Sequence, residues 1–243
     1  MNSILARTAV VGLGVGVVSL SLAWALGGRE DIRRVIAAER FGWHSCDDTV
    51  AVAGPERRLP WTGGDKIEVT TPVPLRVTAR DGGDVVLRGT PAAVSHLQLR
   101  GGRLFSCGRL EGPVEVELPA RALRHVHISG TGNVTLEKLD QRELELRISG
   151  SGQIEAHGSV ERVSAHISGS GDVRLGDLAM KRLTTKISGS GSVEAGPKEE
   201  ADVTLSGAGR VTLLTRPASL HSKVSGSGRI TQPSLEAAEG KKK

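Results

Sequence analysis

Tyrosine is absent from the 243 residues, and the other aromatics come to three Trp and two Phe. All five, Trp24, Phe41, Trp43, Trp61 and Phe105, lie in the first half of the chain. A core built by the second half must therefore consist of Ile, Val, Leu and Ala, which suits stacked β-strands better than a helical bundle. The same shortage counts against a single-stranded nucleic-acid platform, which interleaves rings with its cations. Lys plus Arg number 32 against 27 Asp plus Glu, for a formal charge of +5. Apart from the lysines at 241–243 these cations are dispersed, so nucleic acid is not an expected partner. Cysteine is nearly absent too. Cys46 and Cys107 exclude a disulfide-dense scaffold and leave two readings, two buried thiols or one bond worth about 3–4 kcal/mol in an oxidising compartment. His44, Cys46, Asp47 and Asp48 cluster in sequence, but no second cluster completes a tetrahedron, so no metal site or cofactor is expected.

Charge is missing from residues 8–26, TAVVGLGVGVVSLSLAWAL, a run long enough at about 1.5 Å per residue to cross a hydrocarbon layer. Residues 1–28 read as a signal-anchor or signal peptide, with Ala23 and Ala25 offering a small-x-small cleavage site. Arginines 29, 33, 34 and 40 would by positive-charge count keep the following residues in the cytoplasm. Glu30, Asp31 and Glu39 among them, and the short basic leader before the apolar run, favour export. The expected setting is the cell envelope: inner-membrane anchored with a periplasmic repeat domain, or periplasmic after cleavage. Residues 29–60 read as a helical or flexible tether.

What the chain has in abundance is glycine, 32 residues, and much of it recurs in one pattern. HISGTGNVTL is followed by RISGSGQIEA, HISGSGDVRL, KISGSGSVEA, TLSGAGRVTL and KVSGSGRITQ, with first serines at 129, 149, 168, 188, 206 and 225. A spacing near 19 residues over six copies marks a solenoid, whose units bury their apolar faces only by stacking. Aligned on that serine, the preceding position reads Ile128, Ile148, Ile167, Ile187, Leu205 and Val224, and the fifth after it reads Val134, Ile154, Val173, Val193, Val211 and Ile230. These share one parity, as a strand with one buried face requires. The glycine pairs Gly130 and Gly132, Gly150 and Gly152, Gly169 and Gly171, Gly189 and Gly191, Gly207 and Gly209, and Gly226 and Gly228 fall on that parity, so they are expected at corners where an inward Cβ has no room or φ is positive. Length varies only in the short segments between copies, such as GDLAMKR and GPKEE, which are expected to form outward loops at one edge of every rung.

The expected fold is an all-β, right-handed parallel β-helix of about eight rungs, with an N-terminal transmembrane or signal helix. It spans residues 61–232, begins near Ile67 with irregular rungs, is regular over 123–232, and is followed by a polar tail at 233–243. A meander of hairpins turning at SGSG is the runner-up, because hairpins would break the parity at the glycines.

The I-S-G-S-G-x-V repeats, the VEVELPARALRHVHISGTG stretch before them and the apolar N-terminal run resemble the bacterial head GIN domain family, described as autotransporter adhesin heads, over about residues 61–232. The resemblance implies a parallel β-helical fold in the cell envelope, no cofactor and no catalytic residues. Self-secretion through a membrane barrel is not expected, since PSLEAAEGKKK follows Gln232.

SGSG lacks the Lys-Ser or Lys-Thr of a phosphate loop, and the column Asn133, Gln153, Asp172, Ser192, Arg210, Arg229 is too poor in carboxylates for a calcium-binding nonapeptide. No Ser-His-Asp set is in register. Two columns carry the candidate chemistry. His127, Arg147, His166, Lys186 and Lys223, interrupted by Thr204, form a basic column two positions before the serine. Its self-repulsion suggests a role in meeting an anionic glycan, a lipid headgroup or an acidic envelope protein, against the plainer reading of cations splayed into water. Glu155, Arg174 and Glu194 form a second column, expected as a surface salt-bridge stack; a glycosidase built on the two carboxylates is the alternative. The functional expectation is a non-enzymatic surface for adhesion, binding or scaffolding, with a carbohydrate-active enzyme or a passive spacer as alternatives.

Overall fold

Six copies of one apolar pattern stack as six levels of one parallel sheet. The structure, a computed structural model, describes residues 54–61 and 64–234. The chain divides into Met1–Asp48 and Thr49–Lys243, and only the second unit contains described residues. The apolar run at 8–26, the tether as far as residue 53, Cys46 and the His44–Asp48 cluster lie outside them. Among the described residues no helix is long and apolar enough to cross a membrane.

The elements are β1 (Glu56–Leu59), β2 (Lys66–Val69), β3 (Pro74–Thr78), β4 (Val85–Gly89), α1 (Pro91–His96), β5 (Leu97–Arg100), β6 (Arg103–Ser106), β7 (Val114–Pro119), β8 (His125–Gly130), β9 (Asn133–Gly150), β10 (Gln153–Gly169), β11 (Asp172–Gly189), β12 (Ser192–Gly207), β13 (Arg210–Leu213), β14 (Ser219–Ser225) and β15 (Arg229–Thr231). The chain is an all-β solenoid. From β8 onward every pairing is parallel, which excludes the meander of hairpins. Ile128, Ile148, Ile167, Ile187, Leu205 and Val224 lie opposite one another from level to level, as do Val134, Ile154, Val173, Val193, Val211 and Ile230. All but Val224 and Ile230 are buried, and the core is aliphatic apart from Met180.

The first glycines of the six corners, from Gly130 to Gly226, all have positive φ, and the coil between them makes about five turns. Gly150 explains the requirement: its φ is +136°, and a Cβ there would stand 2.5 Å from the Gly130 carbonyl oxygen of the level beneath. That carbonyl instead accepts the Ser151 N–H at 2.9 Å, so each corner is hydrogen-bonded to the previous one through backbone that a side chain would displace. The second glycine meets a different neighbour. A Cβ at Gly171 would stand 2.6 Å from Cγ2 of Ile148, so the core isoleucine occupies the space the glycine leaves.

The segments expected to be outward loops are part of the coil. Strands β9 to β12 run through them without a break, the length differences are absorbed by bulges such as those at Glu155/Gly158 and Leu175/Met180, and Leu139, Val160, Leu178 and Met180 turn inward. They form a third, irregular side, because ladder pairing and a buried apolar residue outweigh the cost of one bulge.

Upstream, stacking departs from chain order. β2 and β3 make a level that pairs directly with β8 and β9, while the later β6 and β7 pair on its far side. The beginning near Ile67 agrees with the expected start, but the irregular levels are not consecutive. Antiparallel strands then close the stack: β4 on β7, β1 on β4, and β5 on β6. Helix α1 begins at Pro91 with Thr90 capping the Ala93 N–H at 3.3 Å, and the Arg57 guanidinium donates to the Leu97 carbonyl at 3.0 Å. Strand β1 thus belongs to the folded unit, although residues 29–60 read as tether. Four residues with one apolar side chain facing the core carry too little pattern to be distinguished from a linker.

Candidate functional site

The basic column lies on the face formed by β8, the C-terminal halves of β9 to β11, and β14. Its members are adjacent in register: His127 opposite Arg147, Arg147 opposite His166, His166 opposite Lys186, then Thr204, then Lys223. Each step is one strand spacing, about 4.8 Å. The column extends beyond the repeats, since Glu68 of β2 lies opposite His127 and Arg103 of β6 opposite Glu68. Arg103 Nη2 lies 3.1 Å from both Glu68 carboxylate oxygens, so the column is closed at that end by an ion pair. This pair was invisible to the repeat alignment because β2 and β6 stand outside its frame.

The column is also braced along the strand. Glu145, two residues before Arg147 on the same face, accepts from Arg147 Nε at 2.6 Å and from His125 Nδ1 at 2.8 Å. Burial pushes the Glu145 carboxyl upward, but the bonds from Arg147 and then His125 outweigh it and hold the group below the usual carboxylate range. Half-buried His166 is held below the ordinary histidine range, first by desolvation, then by the charges of Arg147 and Lys186, with Glu145 opposing. Beside the column runs a ladder of in-register serines, of which Ser149, Ser168, Ser188, Ser206 and Ser225 are exposed. His127 Nε2 lies 3.4 Å from Ser149 Oγ. At neutral pH the face therefore offers cations at Arg147, Lys186 and Lys223, neutral His166 and exposed hydroxyls. It can accept anionic groups.

An NMR titration should place the His166 midpoint below that of a free histidine, and Lys186→Ala should raise it. Between the two pKa values the unfolded chain binds more protons than the folded one. The contribution of His166 to stability is therefore complete above the unfolded value, about 6.5, and declines as pH falls through the folded value. A midpoint at or above the free value would contradict the packing described.

Glu155, Arg174 and Glu194 are in register on the other face. They do not form the expected salt-bridge stack: among the described residues no ion pair joins Arg174 to either carboxylate. Glu155 lies instead 3.3 Å from Nε2 of His157, its neighbour at i+2 on the same strand face. A cavity of about 430 Å³ lined by Thr70, Thr71, Pro72, Ser106, Arg109 and Leu110 contains no residue of either column. Cys107 donates its N–H to the His96 carbonyl at 2.8 Å, and Cys46, its partner in the disulfide reading, lies outside the described residues.

Comparison with known proteins follows the fold. A family model described as "Putative auto-transporter adhesin, head GIN domain" matches residues 56–217. No curated protein is significantly similar to the chain. Among solved structures, a "putative adhesin" from Bacteroides fragilis NCTC 9343 superposes with a TM-score of 0.59 at 18% identity, covering 73% of this chain and 96% of its own. A "Putative lipid binding protein" from Parabacteroides distasonis ATCC 8503 superposes with a TM-score of 0.50 at 14% identity, covering 74% and 96%. At these identities the likeness concerns the fold.

Proposed function

This chain belongs to the head GIN domain family, and from that premise we propose a non-enzymatic cell-envelope protein whose coil presents a rigid surface for binding a linear anionic glycan. In this reading residues 8–26 anchor the chain or direct its export, the repeats face the periplasm, and the coil is right-handed, with about eight rungs once the two out-of-order levels are counted. The description of the family as adhesin heads supports an envelope setting.

The observation that carries the reading is the in-register column His127, Arg147, His166, Lys186 and Lys223. A fixed column of basic side chains along the stacking direction, charged at Arg147, Lys186 and Lys223 and flanked by exposed serines, suits a polymer that repeats an anionic group along its length. Loose side chains on a flexible loop would lose more entropy in matching it. Glu145 and Glu68 brace the column and limit its self-repulsion, so it is maintained at modest cost. The carbohydrate-active enzyme reading has less support, because Glu155 is engaged by His157 and stands two levels from Glu194 on an open face.

Replacing Arg147, His166 and Lys186 together with Ser should weaken retention on an immobilised polyuronate by about tenfold or more at low salt, with a shallower salt dependence. Anionic phospholipid vesicles form the second arm, since lipid headgroups share the chemistry and a similar fold carries a lipid-binding description. Equal loss on vesicles alone would move the ligand to the lipid headgroup, and unchanged retention in both arms would remove the column from the function.

A further inference from the structure

The two ends of the coil are finished differently. At the N-terminal end antiparallel strands β4, β1 and β5 cover the stack. At the other end β14 pairs β12 and β15 pairs β13, and among the described residues nothing pairs their outer edges. The inward columns lose their cover there: Leu205 is 0% exposed, whereas Val224, opposite it on the last level, is 45% exposed. Val224 and Leu214 are the exposed large hydrophobic residues of the described chain, and both lie in the last turn. An unprotected edge with a bare apolar column is a template for another strand.

Charge identifies the strand it fits. The last level, SLHSKVS in β14 and RIT in β15, carries His221, Lys223 and Arg229 and no Asp or Glu. Neither Lys223 nor Arg229 is engaged in an ion pair among the described residues, and Arg229 lies opposite Arg210 of the level below, which adds to the positive field. Glu200 and Asp202, opposite Ser219 and His221, are the acids nearest in register to this edge, and both stand on the previous level. We propose that the C-terminal end of the coil is a docking edge for an extended acidic segment of a partner protein, added to β14 as the next strand. Main-chain bonds to the free edge supply affinity. Apolar residues of the segment cover Val224, and alternate carboxylates meet His221 and Lys223. A second copy fits less well, because two such ends face to face bring the same cations together, and the other end of the coil is covered by antiparallel strands.

The test uses the full-length chain and a fluorescein-labelled peptide of about ten alternating Val and Glu residues, followed by anisotropy. Saturable binding is expected, weakened at least about tenfold by Lys223→Glu with Arg229→Glu, and by N-methylation of one of the two alternating sets of peptide nitrogens. The Arg147, His166 and Lys186 triple variant should bind the peptide unchanged, which separates this edge from the rest of the glycan-binding column, with which it shares Lys223. The proposal is overturned by absence of saturable binding, or by survival of both N-methylated forms, which would mean charge capture alone. It is overturned equally by self-association that Val224→Glu abolishes, which would make a second copy the occupant. Peptide binding that arises only after deletion of residues 235–243 would make the chain's own tail the occupant and overturn it as well.

Discussion

Gly150→Ala is expected to cost about 3 kcal/mol or more and to lower the melting temperature by roughly 10 °C. Two independent penalties meet at this residue. Its φ of +136° belongs to a region that L-residues avoid, and the added Cβ would stand 2.5 Å from the Gly130 carbonyl oxygen and 3.0 Å from Gly130 Cα. Neither neighbour is a side chain able to turn aside. Relief requires the two levels to separate, which stretches the Ser151 N–H bond to that same carbonyl. Gly176→Ala is the control. Its nearest neighbours would be Leu214 Cδ1 at 3.2 Å and Glu194 Oε1 at 3.3 Å, both far ends of side chains, and its φ lies outside the positive range. It should change stability by no more than about 0.5 kcal/mol. Urea and thermal melts of the two variants decide the matter, and a Gly150→Ala cost below about 1 kcal/mol would show that the corner tolerates a side chain.

The corner glycines, Gly150 and Gly152 and their counterparts, explain why the coil was legible in the sequence. A residue that must be glycine in every turn, flanked by an aliphatic position on each side, fixes the phase of each copy. Once phase is fixed, strand parity assigns the inward positions on either side of each corner. Ile148, Ile167 and Ile187 stand over one another for that reason. Phase does not say which level neighbours which. Residues 66–78 and 103–119 both alternate correctly, but their order in the stack depends on β8 choosing β2 as its partner, a long-range pairing with no local signature. The third side was misread for a related reason. Variable length resembles a loop, while the signal for a laddered strand, one or two apolar residues per segment at Leu139, Val160, Leu178 and Met180, is weak.

Alignment on a repeat detects neighbours across levels and overlooks neighbours along a strand. Residues i and i+2 share a face, and their side chains compete for the same partners. Glu145 binds Arg147 along β9, and Glu155 meets His157 along β10 instead of Arg174 across. The membership of the basic column was therefore legible, but its electrostatics were not. The acid bracing Arg147 lay two residues away in plain sequence, in a column that reads His125, Glu145, Ser164, Thr184, Asp202, His221 and shows no pattern of its own.

Position along the coil sets the second large effect. Ile167→Ala should cost about 3–4 kcal/mol, whereas Val224→Ala, in the same column, should cost no more than about 0.5 kcal/mol. Ile167 is 1% exposed and lies between Ile148 and Ile187, each one strand spacing away. Its Cγ2 lies where a Cβ on Gly191 would stand 2.7 Å from it, so the space beside the isoleucine on the next level is bounded by backbone. Truncation leaves a void that no side chain can enter, and the parallel ladder on both sides keeps the walls from closing, which places the cost toward the upper part of the range for such substitutions. Val224 has one covered side and 45% exposure, so its truncation exchanges little area with water. In a solenoid each level is stabilised by its two neighbours, and the last level has only one. Hydrogen exchange should follow the same gradient, with amides of β14 exchanging through local fraying and those at Ile148 and Ile167 only through unfolding of the stack. Equal costs at the two positions would mean that the end of the coil is covered in solution.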